Sequence, residues 1–102
     1  MNRSIFVTNF NRVELSNCVR FLEGDGEIVY ITEGKTNIFR EDGLIRDIEQ
    51  AIEKMNPTDY LLIAGNSVIA SYCTAIIMKK FGCVNLLLWD YHNSSYREGT
   101  VK

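Results

Sequence analysis

Four short apolar runs recur along the chain, each closed by a turn signal, with helix-spaced stretches between them. The runs are Ile5-Phe6-Val7, Glu27-Ile28-Val29-Tyr30-Ile31-Thr32, Tyr60-Leu61-Leu62-Ile63-Ala64 and Val84-Asn85-Leu86-Leu87-Leu88-Trp89. The second and third show little polar alternation, and such runs suit parallel strands covered on both faces. Between the runs, the apolar spacing changes period. Leu15, Cys18, Val19 and Leu22 recur at i, i+3, i+4 and i+7, with Asn11 or Ser16 as the cap and Gly24-Asp25-Gly26 as the stop. From Asp42, Leu44, Ile45, Ile48, Ala51, Ile52 and Met55 line one face of a second helix, which Asn56-Pro57 ends. A third helix runs from Val68 to Phe81 and stops at Gly82.

The resulting order, β-α-β-α-β-α-β, implies a parallel sheet with right-handed crossovers. We expect a small Rossmann-like or flavodoxin-like α/β sheet with strand order 2-1-3-4. The tail Tyr96 to Val101 is expected to turn back through His92-Asn93-Ser94-Ser95 as an antiparallel edge strand. At 102 residues the chain has room for one domain, residues 1–102, with a core that needs no staples.

Composition narrows the partners. With 11 basic and 13 acidic residues, the net charge of −2 argues against a strong nucleic-acid footprint. Cys18, Cys73 and Cys83 are an odd number without metal-ligand spacing, each in an apolar stretch. They read as reduced core residues in a cytoplasmic protein, and no metal site is expected of them. The N-terminus lacks the long apolar centre of a signal peptide, and no stretch reaches the ~18 apolar residues of a membrane span.

The third helix is apolar nearly all round. Ile69, Cys73, Ile76 and Ile77 form its strongest face, and Val68, Tyr72 and Ala75 form a second stripe leading to Lys79. A helix of this kind is covered on more than one side. Two readings stand: a self-association surface on the second stripe, or a helix fully internal to the core.

In an open parallel sheet, ligands bind beyond the carboxyl ends of the strands. That edge collects Thr8-Asn9, Glu33-Gly34-Lys35, Gly65-Asn66-Ser67, and Asp90 with His92. Gly65-Asn66-Ser67 is the best anion candidate, because glycine admits close backbone approach and a helix start offers free N–H groups. The alternative is Asn66 or Ser67 as a plain N-cap. Lys35 and Arg40 could close on a phosphate from the loop after strand 2, or stand as ordinary solvated charges. Ser67 lacks the surroundings of a nucleophile. Asp59 lies at the opposite edge and reads as structural. Asp90 ends an apolar strand at the expected edge, flanked by Trp89, Tyr91 and Tyr96, which core packing or tail docking explains before base stacking does.

The stretch Ile28-Val29-Tyr30-Ile31-Thr32-Glu33-Gly34-Lys35-Thr36-Asn37 resembles the first motif of Toprim domains, where a strand ends in a Glu-Gly pair. That resemblance implies Glu33 as an acid/base or metal-organising residue, with Asp90 holding magnesium. Asn37 stands where that motif has Asp, and Asp90-Tyr91-His92 stands where the family has Asp-x-Asp. Over the whole chain, Asp59 to Ser67 together with Leu86-Leu87-Leu88-Trp89-Asp90 resembles short bacteriophage proteins of one α/β domain. This second resemblance implies a host-directed binding or inhibitory role.

The reading that follows is a small non-enzymatic binding protein that self-associates or takes a protein partner. Asn9, Lys35, Gly65, Asn66 and Ser67 would contact an anion or nucleotide, a phosphate-bearing small ligand, with no cofactor. Val68, Tyr72 and Ala75 would form the interface. The alternatives are a magnesium-dependent enzyme of phosphate esters or nucleotides using Glu33 and Asp90, and a viral-type inhibitor or adaptor binding a host protein.

Overall fold

Parallel strands need crossovers, and the direction each crossover takes decides which face of the sheet it covers. The computed structural model describes residues 2–9, 15–33 and 40–102. Its elements are β1 (Ile5–Val7), a 3-10 helix (Ser16–Phe21), β2 (Ile28–Tyr30), α1 (Glu41–Ile52), β3 (Tyr60–Leu62), α2 (Ser67–Phe81), β4 (Val84–Asp90) and β5 (Ser95–Val101). They form one sheet of order β2-β1-β3-β4-β5. The first four strands are parallel, and β5 runs antiparallel to β4 from Asp90↔Ser95 to Val84↔Val101. The expected order 2-1-3-4 and the antiparallel edge strand are both present.

From β1 the chain steps one way to β2, and then it steps the other way to β3 and β4. Connections of one hand must therefore lie on opposite faces, and they do. On one face, Leu44, Ile48 and Ile52 of α1 and Ile69, Cys73 and Ile77 of α2 pack on Phe6, Leu61 and Val84. On the other, Cys18 of the 3-10 helix packs with Ile5, Val7, Tyr60, Leu62, Leu87 and Tyr96. Side chains alternate between faces along a strand, so both sets must be apolar and the runs read as continuous. Each fully buried Leu or Ile contributes about 1.5–3 kcal/mol.

Two elements differ from expectation. The segment around Cys18 is a six-residue 3-10 helix, not an α-helix, and its N-cap is Leu15, not Ser16, while Asn11, the other expected cap, lies outside the described residues. Its amides reach three residues back, Cys18 N–H to Leu15 O and Leu22 N–H to Val19 O, both at 3.0 Å. In that geometry i and i+3 eclipse, so only Cys18 is buried and Val19 is half exposed. Helix α1 starts at Glu41, not Asp42, and ends at Ile52, ahead of Asn56-Pro57. The Lys80 ammonium, reaching over from α2, donates to the Ile52 carbonyl at 2.8 Å. That contact satisfies one of the acceptors a helix end leaves open.

At the amino-terminal edge of the sheet, Tyr60 is 2% exposed. Its hydroxyl donates to Glu98 Oε1 across the sheet, and the Arg3 guanidinium lies 4.1 Å over its ring. Burial, reinforced by the hydrogen bond to Glu98 and opposed by Arg3, pushes the phenol from 10.0 up to about 12. The folded state thus holds this proton more tightly than the unfolded chain. Its stabilisation is complete below pH 10 and is lost as pH rises through about 12. Tyr60→Phe is expected to cost about 1 kcal/mol at neutral pH and to flatten the alkaline fall in Tm across that window. A variant whose alkaline profile superimposes on the parent's would refute this assignment.

Candidate functional site

At the carboxyl edge, the backbone turns out of β1 toward one face and out of β3 toward the other. This opens the crevice in which sheets of this kind bind ligands. Here the crevice is stitched. Thr8, fully buried after β1, donates its hydroxyl to the Ala64 carbonyl at 2.7 Å and accepts the Ala64 N–H at 2.9 Å. Thr32, after β2, shares its hydroxyl proton between the Thr8 carbonyl at 2.8 Å and Asn9 Oδ1 at 2.9 Å. Gly65 has φ +79°, and a Cβ there would lie 3.1–3.2 Å from the Asn9 side chain. Only glycine both adopts that conformation without strain and admits Asn9. The edge of β1, β2 and β3 therefore spends its polar groups on itself. The sequence puts Thr8 at this edge without giving it a role, and Thr32 reads there only as the end of a strand. The signal for both is a polar residue straight after an apolar strand.

Of the expected anion ligands, Asn9, Gly65, Asn66 and Ser67 come together on neighbouring strand ends, while Lys35 lies outside the described residues. Asn66 is the N-cap of α2, its side-chain oxygen accepting the Val68 N–H at 2.7 Å. Ser67 accepts the Ser71 hydroxyl on its carbonyl at 2.9 Å.

Glu33 and Asp90 are not brought together. The order β2-β1-β3-β4 puts three strand spacings between them, roughly 14 Å, too far for one ion held at about 2.0–2.6 Å. Glu33 lines a cavity of about 340 Å³ with Asp47 and Gln50 of α1. Asp90 organises the β4–β5 turn, accepting the His92 N–H at 2.9 Å, the Asn93 N–H at 3.3 Å and the Asn93 amide at 2.8 Å. Arg97 lies 3.6 Å away. The Asn93 amide foremost, then the two backbone N–H groups and Arg97, hold the Asp90 carboxyl below its usual range. Among the described residues, no three His, Cys, Asp or Glu gather as a metal-binding group.

The proposed interface stripe divides. Tyr72 is half-buried against the core, whereas Val68 and Ala75 are exposed. The remaining flank of α2, with Ser67, Ala70, Ser71 and Thr74, borders an open depression that reaches Ile63. Of the cysteines, Cys18 and Cys73 are buried and free, and burial pushes the Cys73 thiol up to about 12.

One strand farther along the edge, the surface is aromatic. Leu62, Ile63, Ala64, Leu87, Trp89 and Tyr96 surround a groove of about 360 Å³, with Asn17 and Tyr91 at its mouth. Trp89 meets Tyr96 edge-on at 5.0 Å and Tyr91 at 6.5 Å. Tail docking accounts for the first contact. It does not cover the rest, since Trp89 is 38% exposed, Ile63 49% and Tyr91 85%. The 3-10 helix packs beside the groove, with Cys18 against Leu87 and Tyr96 and Asn17 on the groove's lining, and α2 packs on the opposite face.

No helix among the described residues is long and apolar enough to cross a membrane. Searches of curated proteins and of solved structures return no significant match, and nothing supports the Toprim likeness. The sequence model of the family described as Phage Pam3 gp32-like protein matches residues 7–102, nearly the whole chain, in line with the resemblance to short bacteriophage proteins. The chain belongs to the Phage Pam3 gp32-like protein family.

Proposed function

We propose that the protein is a non-enzymatic interaction module that docks another protein on the carboxyl ends of β3 and β4. The observation that carries this reading is the joint exposure of Ile63, Trp89 and Tyr91 around one groove. Tyrosine and tryptophan in such settings dominate binding energy at protein interfaces. The neighbouring polar edge supports it by contrast, because its side chains are engaged with each other. A bacteriophage family fits a host protein or another phage protein as the partner.

The test is a peptide-display selection against the wild-type chain, with each selected ligand re-measured on the double variant Ile63→Ser, Tyr91→Ser. Both positions are exposed, so the variant is expected to melt within a few degrees of wild type. Ligands should lose about tenfold or more in affinity on it. Ligands that bind both proteins equally, or that map to Val68 and Ala75, would count against the reading. So would a chain that buries Tyr91 by dimerising.

A further inference from the structure

The edge of a sheet carries a row of backbone N–H and C=O groups ready to pair with another strand, and many proteins blunt it with a bulge, a proline or a very short strand. The β2 edge is three residues long, but the β5 edge runs over seven, Ser95–Val101, without a proline. Strand β5 pairs with β4 residue for residue along its whole length, so no bulge turns its outer side away. The register also sorts its side chains. Gly99, opposite Leu86, and Val101, opposite Val84, belong to the face covered by α1 and α2. Glu98, opposite Leu87, belongs to the other face with Thr100 and, one step past the strand, Lys102. A Cβ at Gly99 would stand 3.1 Å from Leu88 Cδ1, so Leu88 leans over the glycine. Both Leu88 and Val101 are left half-exposed.

We propose that this edge pairs antiparallel with β5 of a second copy, about a two-fold axis through Thr100. In such an isologous pair the axis stands normal to the sheet. One residue therefore meets its own counterpart, and every other residue meets one from the same face. An axis at Arg97 or Glu98 would set like charges directly opposite, which is destabilising. An axis at Gly99 would set glycine against glycine and Arg97 against Val101. An axis at Thr100 sets threonine against threonine, a favourable cross-strand pair. It also places Val101 against the second copy's Gly99, and Glu98 against the second copy's Lys102, each of them twice. Val101 then packs on Leu88 where that side chain leans over the glycine. Glu98 Oε1 accepts the Tyr60 hydroxyl, and a carboxylate has a second oxygen to offer the ammonium. Complements spaced equally on either side of one residue select a second copy, because an unrelated strand has no reason to match them. The axis lies roughly 17 Å along β5 from Ser95, so the pair leaves the aromatic groove open and the inference is independent of the docking reading.

Sedimentation equilibrium tests the pair, and cysteine cross-linking tests its register. The wild-type chain should move from one chain mass toward two between about 10 µM and 1 mM, as a small interface allows. A Cys83→Ser background leaves only the buried Cys18 and Cys73 among the native thiols. In it, Thr100→Cys should form an intermolecular disulfide under copper-catalysed air oxidation, since opposite residues stand about 4.5–5.5 Å apart between Cα atoms. Glu98→Cys should not, because this register holds the two copies of residue 98 roughly 14 Å apart. Val101→Asp should sediment as a monomer throughout, with a Tm within a few degrees of wild type. Lys102→Glu should weaken the pair about fivefold, an effect that shrinks at high salt. A wild-type chain that stays monomeric at about 1 mM, a Val101→Asp chain that pairs as wild type does, or Glu98→Cys cross-linking as readily as Thr100→Cys would overturn the inference.

Discussion

Gly26→Ala is expected to lower stability by about 3 kcal/mol, which for a domain of this size is a fall in Tm of roughly 12–24 °C. A Cβ at Gly26 would stand 1.8 Å from the Arg3 carbonyl oxygen, 2.6 Å from the Arg3 carbonyl carbon and 2.9 Å from the Glu23 oxygen. All three are backbone atoms, so no side-chain rotation relieves the clash. What must move is the bridge in which Arg3 and Glu23 exchange backbone hydrogen bonds at 2.9 and 3.1 Å. That bridge sets the start of β1 against the turn entering β2. Arg3 also donates Nε–H to the Thr58 carbonyl at 2.7 Å and covers the Tyr60 ring, so displacing it loosens the entry to β3 as well. Gly43, by contrast, has open space where its Cβ would be, so being glycine is not itself the constraint. Thermal or urea unfolding decides the matter, and a Tm within about 3 °C of wild type would show that the bridge yields cheaply.

That constraint illustrates what is hidden in the sequence. Gly24-Asp25-Gly26 reads as a stop signal, and it is one, but nothing in the local pattern says that Gly26 abuts residue 3. The strands themselves are legible, because a sheet covered on both faces needs continuous apolar runs and this chain has four. Their order is not written in the runs: 2-1-3-4 is the arrangement common to doubly wound sheets of this size, and the structure has it. The 3-10 helix is not legible either, for a physical reason. Leu15, Cys18, Val19 and Leu22 satisfy the α-helical spacing, but spacing over eight residues does not distinguish two helices that both bring i and i+3 together.

The site is legible as an edge and not as a surface. Topology alone collects Asn9, Glu33, Gly65 and Asp90 at the carboxyl ends. Which of them remain available depends on hydrogen bonds between strands, and those are set by register. Thr8 with Ala64, and Thr32 with Asn9, consume polar groups that the topology alone leaves open to a ligand. In the sequence, Trp89 and Tyr91 read as packing residues, as aromatic residues beside a hairpin usually are. Their exposure, 38% and 85%, depends on which strand ends the helices cover in three dimensions, which apolar spacing does not encode.

Asp59→Ala is expected to cost about 3 kcal/mol without touching the proposed docking surface, which lies at the other end of the strands. The residue is 3% exposed. Its Oδ1 accepts the Ser4 N–H at 2.9 Å, and its Oδ2 accepts the Asn56 N–H at 2.8 Å. The first bond joins the chain entering β1 to the chain entering β3, next to the Tyr60 N–H bond to the Ser4 carbonyl at 3.0 Å. The second closes the Asn56–Asp59 turn around Pro57. Alanine leaves both N–H groups without acceptors, and each abandoned donor costs more than the net gain from making its bond. Asp59→Asn is the sharper variant, because a carboxamide offers one acceptor oxygen where two are in use. Its NH₂ would meet one of the two N–H groups donor to donor, so it should recover less than half of what alanine loses. If Asp59→Asn behaves as wild type in urea unfolding, only one of the two bonds matters. Ligands selected on the wild-type chain should bind both variants as they bind wild type at temperatures where they are folded. That separation of stability from binding places the scaffold at the amino-terminal edge of the sheet and recognition at the carboxyl edge.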